Sequence, residues 1–176
     1  QSALLFWKDF AVTTRHFTAA QVGTCMTIAA VGSLPLVFSV GKLLDVIGRR
    51  ASTVIVFGLT LLGVGLAYTD YSSSVLTIGV LLGIAGTTCV LSVVQTITTE
   101  LFPTDIRAES FGIANSLLGR TAGVLSPLVV GMLSTKLGYG LAVQATGLGP
   151  LVAMLLIVLF VPETRGKELE ETAALS

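Results

Sequence analysis

Long apolar runs, each near the length of a bilayer crossing and each closed by a short turn rich in charge or glycine, dominate this chain. About 20 apolar residues in helical conformation cross the ~30 Å hydrocarbon core of a membrane. Within lipid a backbone must satisfy its own hydrogen bonds, which restricts such runs to helices or a closed barrel. Barrel strands would alternate apolar and polar residues over about ten positions, whereas these runs are near-continuous. The chain is 53% hydrophobic and 11% charged, with a mean hydropathy of +0.91. A soluble domain has roughly 25% charged residues, so most of this chain does not face water. The expected class is an all-α integral membrane protein. A formal net charge of zero gives no reason to invoke nucleic acid as a partner.

Five full spans are expected, at about Ala19 to Val40 (kinked at Pro35), Ser52 to Tyr68, Ser74 to Thr98, Ala108 to Ser134 (broken at Pro127) and Tyr139 to Val161. The last has a weak point at Gly147-Leu148-Gly149-Pro150. Ala3 to Trp7 reads as the end of a further span, and the opening QSALLFWKDF lacks the basic leader and long apolar core of a secretory signal. The chain is therefore expected to be part of something longer. Its organisation is residues 1–17, the end of a truncated span with an outer loop; 18–162, a five-helix transmembrane bundle; and 163–176, a tail. Lys42, Arg49, Arg50, Arg107, Arg165 and Lys167 fall on one side, against Lys8, Arg15 and Lys136 on the other. The richer side should be cytoplasmic, and with it the C-terminus.

The 19 glycines suit a helical bundle, because small residues let membrane helices approach closely. Gly79, Gly83 and Gly86 form one stripe in the third span; Gly112, Asn115, Gly119, Gly123 and Ser126 form another in the fourth. The simplest role for most of these glycines is helix–helix contact. Asn115 and Gln95 are different, since an amide inside a span must find a partner or line a wet cavity. Cys25 and Cys89 each sit inside an apolar run and read as small buried hydrophobes rather than a disulfide or metal site. No metal or cofactor is expected. Arg120 stands alone in the fourth span, ~18 Å along the helix from Ala108 at about 1.5 Å per residue. An ionisable group at such depth is by default a functional-site candidate. Its guanidinium stays protonated and offers a fork that matches a carboxylate or sulfate. The competing role is a structural arginine bonded to backbone carbonyls or to a fixed acid.

Gly41-Lys42-Leu43-Leu44-Asp45-Val46-Ile47-Gly48-Arg49-Arg50 is read as the loop joining the first two spans, with Asp45 available to cap a helix or pair with a base. This pattern resembles the cytoplasmic loop signature of the major facilitator superfamily. Glu100-Leu101-Phe102-Pro103-Thr104-Asp105-Ile106-Arg107 is similar to that family's turn between helices ten and eleven. Pro162-Glu163-Thr164-Arg165-Gly166 is similar to the signature after its last helix. The resemblance covers essentially the whole chain. It implies the C-terminal six-helix bundle of such a transporter, here five full spans plus the end of a sixth, completed by an N-terminal half. It also implies a cytoplasmic gate of charge pairs among Asp45, Arg49, Arg50, Glu100, Arg107, Glu163 and Arg165. Exposed pairs of this kind contribute roughly 0–1 kcal/mol each, which suits two states that interchange.

The run from Glu100 to Pro127 most resembles the organic-ion and aromatic-acid transporters. In that group the position seven before the proline of a Ser-Pro pair is typically Arg in members that carry anions. Arg120 lies seven before Pro127, so the resemblance implies a small organic anion as substrate, bound by Arg120 with Asn115 and Gln95 as lesser contacts. Transport would be secondary active, coupled to a proton or a counter-substrate, or facilitative, in the plasma membrane. Other carriers of the fold, such as sugar porters, and a non-transporting sensor or scaffold on the same fold are the alternatives. An intramembrane hydrolase needs a Ser–His or paired-Asp arrangement within the spans, but the only histidine, His16, is in a loop. A channel would show a filter-like segment or a ring-forming polar stripe.

Overall fold

The computed structural model describes residues 2–113, 115 and 119–161. Among them are eight helices: α1 (Ser2–Thr13), α2 (Ala19–Ile47), α3 (Arg49–Ala67), α4 (Ser73–Leu101), α5 (Thr104–Gly112), α6 (Arg120–Leu137), α7 (Tyr139–Ala145) and α8 (Leu148–Phe160). Four segments are long and apolar enough to cross a membrane: Ala19–Ile47, Arg49–Ala67, Ser73–Leu101 and Tyr139–Phe160. The expected span at Ala108 to Ser134 is described as α5 and α6. Between them Ile113, Asn115 and Gly119 have π-helical geometry, and residues 114 and 116–118 lie outside the described residues.

Local chemistry sets the helix ends. Thr18 starts α2 with a capping box: its hydroxyl accepts from the Gln21 N–H at 3.3 Å, and the Gln21 carboxamide accepts from the Thr18 N–H at 2.9 Å. The expected ten-residue loop from Gly41 to Arg50 is not a loop. α2 continues through Lys42, Leu44 and Asp45, and a single residue, Gly48 at φ 98°, turns the chain into α3. That left-handed backbone is costly for any residue with a Cβ. Pro127 does not break its helix either: α6 runs through it to Leu137, as α2 runs through Pro35. A proline removes one N–H donor, and membrane helices tolerate that loss where neighbouring groups re-satisfy the ladder. The last span does divide, between Ala145 and Leu148, where the amides of Thr146 and Gly147 bond to Val143 and Gln144 in tight three-residue turns.

The α3–α4 seam is the closest packing in the molecule. A Cβ added to Gly63 would lie 2.7 Å from Gly83 Cα; one on Gly79, 2.9 Å from Ala67 Cα; one on Gly86, 2.8 Å from Thr60 Cα. The Gly79/Gly83/Gly86 stripe is thus a helix contact, as expected. Thr60 and Thr53 donate their hydroxyls to carbonyls one turn back, so the seam holds no unsatisfied hydroxyl from either. At one end of the bundle Trp7, Phe10 and Ala11 of α1 pack with Val64, Ala67 and Leu76. There the Trp7 indole donates to the Ala67 carbonyl at 3.1 Å, and the Tyr68 hydroxyl donates to the Ala3 carbonyl. Val40, Leu44, Val56, Cys89, Val93 and Ile97 fill the other end. Both cysteines are buried and free; Cys25 Sγ accepts from the Thr77 hydroxyl at 3.3 Å.

α6 and α8 are packed differently. Val130 is the only buried residue of α6 among those described, and α8 has none. Val124, Leu128 and Met132 on α6 and Leu155, Leu159 and Phe160 on α8 are exposed. Apolar surface of this extent fits a chain whose surroundings are lipid, where no hydrophobic force drives it inward.

Candidate functional site

The charge cluster assembles where α2 ends, α3 begins and α4 ends. Gly48 places Arg49 at the head of α3, opposite Glu100 in the last turn of α4. Arg49 Nε lies 3.0 and 3.1 Å from the two Glu100 oxygens, and Nη2 lies 2.5 Å from Oε1. Nη1 donates to the Leu44 carbonyl at 3.1 Å, a carbonyl of the last turn of α2 that also accepts the Gly48 N–H at 3.2 Å. The two side chains retain only 12% and 11% of their exposure. This corrects the expectation of weak surface pairs. A fork-on-carboxylate pair taken out of solvent is strongly coupled, and removing one member leaves a buried charge.

Asp45 contributes less. It sits 3.8 Å from Arg49 Nη2 and keeps 76% of its exposure, so solvent screens it. Arg50 reaches across to the end of α8, donating from Nε to the Val161 carbonyl at 2.8 Å. Arg107 was expected to meet an acid. Among the described residues it donates instead to the Phe102 carbonyl at 3.2 Å, within its own turn. Glu163 and Arg165 lie outside the described residues. The cluster thus ties four helix ends together, two by an ion pair and two through backbone carbonyls. Sequence reasoning missed the carbonyl half; its signal was a basic pair placed directly after a glycine-ended helix, within reach of neighbouring helix ends.

The opposite end of the bundle has its own fastening. Arg15 Nη1 meets Asp70 at 3.3 Å and Nη2 donates to the Tyr71 carbonyl at 2.6 Å, tying the turn after α1 to the turn after α3.

The three candidates for substrate contact are all exposed. Arg120 is the first residue of α6, Asn115 lies in the π-helical stretch before it, and Gln95 is on α4. No hydrogen bond joins any two of them among the described residues, and the main contacts of α6 are with α7 and α1. Nothing lies within 4 Å of a Cβ added to Gly112 or Gly123, so this part of the second small-residue stripe faces open space instead of a helix. Ser126 Oγ is enclosed and has no hydrogen-bond partner among the described residues. Arg120 itself forms no ion pair with any described carboxylate.

The fold defines a class, a multi-pass helical membrane protein whose helix ends are tied by charge at one end. The chain belongs to the Major Facilitator Superfamily, whose family profile matches residues 2–175. It is 33% identical over 142 residues to "Solute carrier family 22 member 7" of Mus musculus, covering 78% of this chain and 24% of that protein. It is 34% identical over 155 residues to "Solute carrier family 22 member 21" of Mus musculus, covering 84% of this chain and 26% of that protein. The chain therefore spans about a quarter of the length of the curated relatives it matches.

Proposed function

We propose that this chain forms the C-terminal bundle of a carrier that moves a small organic anion, such as an aromatic carboxylate, across the plasma membrane by alternating access. An N-terminal half would complete the cavity. The carrying observation is Arg120: an exposed guanidinium at the head of α6, in the interior of a mostly apolar segment and bonded to no described carboxylate. A cation there is too costly to face acyl chains and requires a wet cavity or an anionic partner. Transporter sites lie at such midplane positions between repeats. Asn115 and Gln95, also exposed, are the secondary contacts. The solute-carrier relatives support a carrier, and the resemblance of Glu100 to Pro127 to organic-ion transporters supports an organic ion as its substrate.

In this scheme the Arg49–Glu100 pair, with Asp45, Arg50 and Arg107 around it and Glu163 and Arg165 after α8, is the cytoplasmic latch. It closes the inner end while the site is open outward, and it separates as the bundles rock. The C-terminus follows the latch to the cytoplasmic side. Net movement would run down the substrate's own gradient or be driven by a proton or a counter-substrate.

The test is uptake of a labelled aromatic carboxylate by cells expressing the protein, with surface labelling to count copies. Arg120→Ala should abolish uptake at unchanged surface level, and Arg120→Lys should restore a fraction through charge without the bidentate fork. Uptake unchanged in Arg120→Ala removes that residue from the site and leaves only the carrier family.

A further inference from the structure

The last span is built in two pieces, and we propose that the second, α8, is an arm hinged at Thr146–Gly147 that swings away from the bundle, with Arg50 as its pin. The hinge is a stretch of tight winding. Thr146 and Gly147 have ψ of −18° and −17°, well short of the roughly −42° of an α-helix. The Thr146 amide bonds to the Val143 carbonyl at 3.0 Å and the Gly147 amide to the Gln144 carbonyl at 2.9 Å, each three residues back. The Thr146 hydroxyl donates to the same Val143 carbonyl at 2.6 Å. Pro150 has no N–H to give the Thr146 carbonyl four residues back, which takes the Gly149 amide at 3.2 Å instead. α-Helical bonding resumes where the Leu151 amide meets the Gly147 carbonyl at 3.1 Å. Such tighter winding inside a longer helix has poorer hydrogen-bond geometry and often marks a hinge.

The two sides of the hinge are held unequally. On the α7 side Ala142 and Val143 are fully buried. Gln144 Nε2 donates to the Gly65 carbonyl at 3.0 Å and to the Tyr68 carbonyl at 3.4 Å, which ties α7 to α3. Gly147 lies so near α3 that an added Cβ would be 3.3 Å from Leu61 Cδ2, so the pivot itself is fixed. On the α8 side no residue is buried, and Ile157 and Val161 pack on the core at the Arg49 end. Lipid tails are as apolar as that contact, so no hydrophobic force opposes exchanging it for lipid. Among the described residues one side-chain hydrogen bond reaches the arm, from Arg50 Nε to the Val161 carbonyl at 2.8 Å. It acts about 20 Å from the hinge, at about 1.5 Å per residue, where a single bond has the longest lever. A charged donor makes it the stronger kind. Because Arg50 follows Arg49 directly, the arm docks on the same helix end that holds Glu100. The device stands whether or not Arg120 binds a substrate.

The test measures distances between paired spin labels on the chain purified into lipid nanodiscs, with Cys25 and Cys89 replaced by alanine. One label is attached through Phe38→Cys on α2. The other is attached through Leu159→Cys on the arm or, as the reference, Leu141→Cys on α7; all three positions are exposed. Arg50→Ala should raise the population of a second, longer 38–159 distance about tenfold over the parent, as for the loss of one bond from a charged donor. The 38–141 distance should not change. Adding Pro150→Ala, which supplies the missing amide and favours a continuous helix, should suppress the second distance. A 38–159 distribution unmoved by Arg50→Ala, a second distance that appears equally in the 38–141 pair, or one that survives Pro150→Ala would each overturn the hinge.

Discussion

The α3–α4 seam and the head of α6 are built from the same residue types and do opposite things. Both are glycine-rich and both carry a hydroxyl. Along the seam, Gly63, Gly79 and Gly86 are spaces already occupied by the opposing backbone, and Thr60 bonds inside its own helix. At the head of α6, Gly123 faces nothing, Ser126 Oγ has no described partner, and Arg120 is exposed. Small residues in a membrane helix therefore carry two meanings: close approach where a partner is present, and room where it is absent. The two arginines differ in the same way. Arg49 spends its guanidinium on Glu100 and a carbonyl, whereas Arg120 meets no described acid. One is a fastening; the other has no described acid to fasten to.

That contrast can be broken most directly by putting the same bulk in both places. Gly63→Leu must drive the α3 and α4 backbones apart, a cost at or above the ~3 kcal/mol upper range of core over-packing. Loss of a folded peak in detergent gel filtration is the expected result. Gly123→Leu should leave the thermal midpoint within about 0.5 kcal/mol of the parent, as for a substitution into open space. If the two behave alike, the contrast between seam and open face fails.

Trp7→Ala probes the packed side without touching glycine. It empties a fully buried site and orphans the Ala67 carbonyl, so about 3–4 kcal/mol should be lost, read as a large fall in midpoint. Glu100→Ala should cost about 3 kcal/mol by leaving Arg49 uncompensated, and the double variant with Arg49→Leu should recover most of it. Equal midpoints for the single and double variants would show that the pair is not coupled. The smallest change in stability belongs to Arg120→Ala, within about 0.5 kcal/mol, although its effect on uptake should be complete.

Much of this was legible in the residues. Near-continuous apolar runs could only become membrane helices, and the Gly79/Gly83/Gly86 spacing could only be one face. The charged turns placed Arg49 and Glu100 at the same end. What could not be read was where helices stop. Gly41 to Arg50 looks like a loop because it is polar and glycine-flanked, yet Gly48 alone makes the turn. Pro127 reads as a break, yet α6 passes through it. Local composition states a preference of a kilocalorie or so per residue, and packing along a long helix overrides it.

Residue order by itself determined the class of the molecule and which end gathers Arg49 and Glu100, because those follow from period and polarity along the chain. Only tertiary structure decided that Arg49 grips Glu100 out of solvent while Asp45 stays wet, that Arg50 and Arg107 serve carbonyls, and that Gln144 is held to α3. Such outcomes depend on distances between residues far apart in the chain. A sequence has no measure of those until helices of particular length cross at particular points.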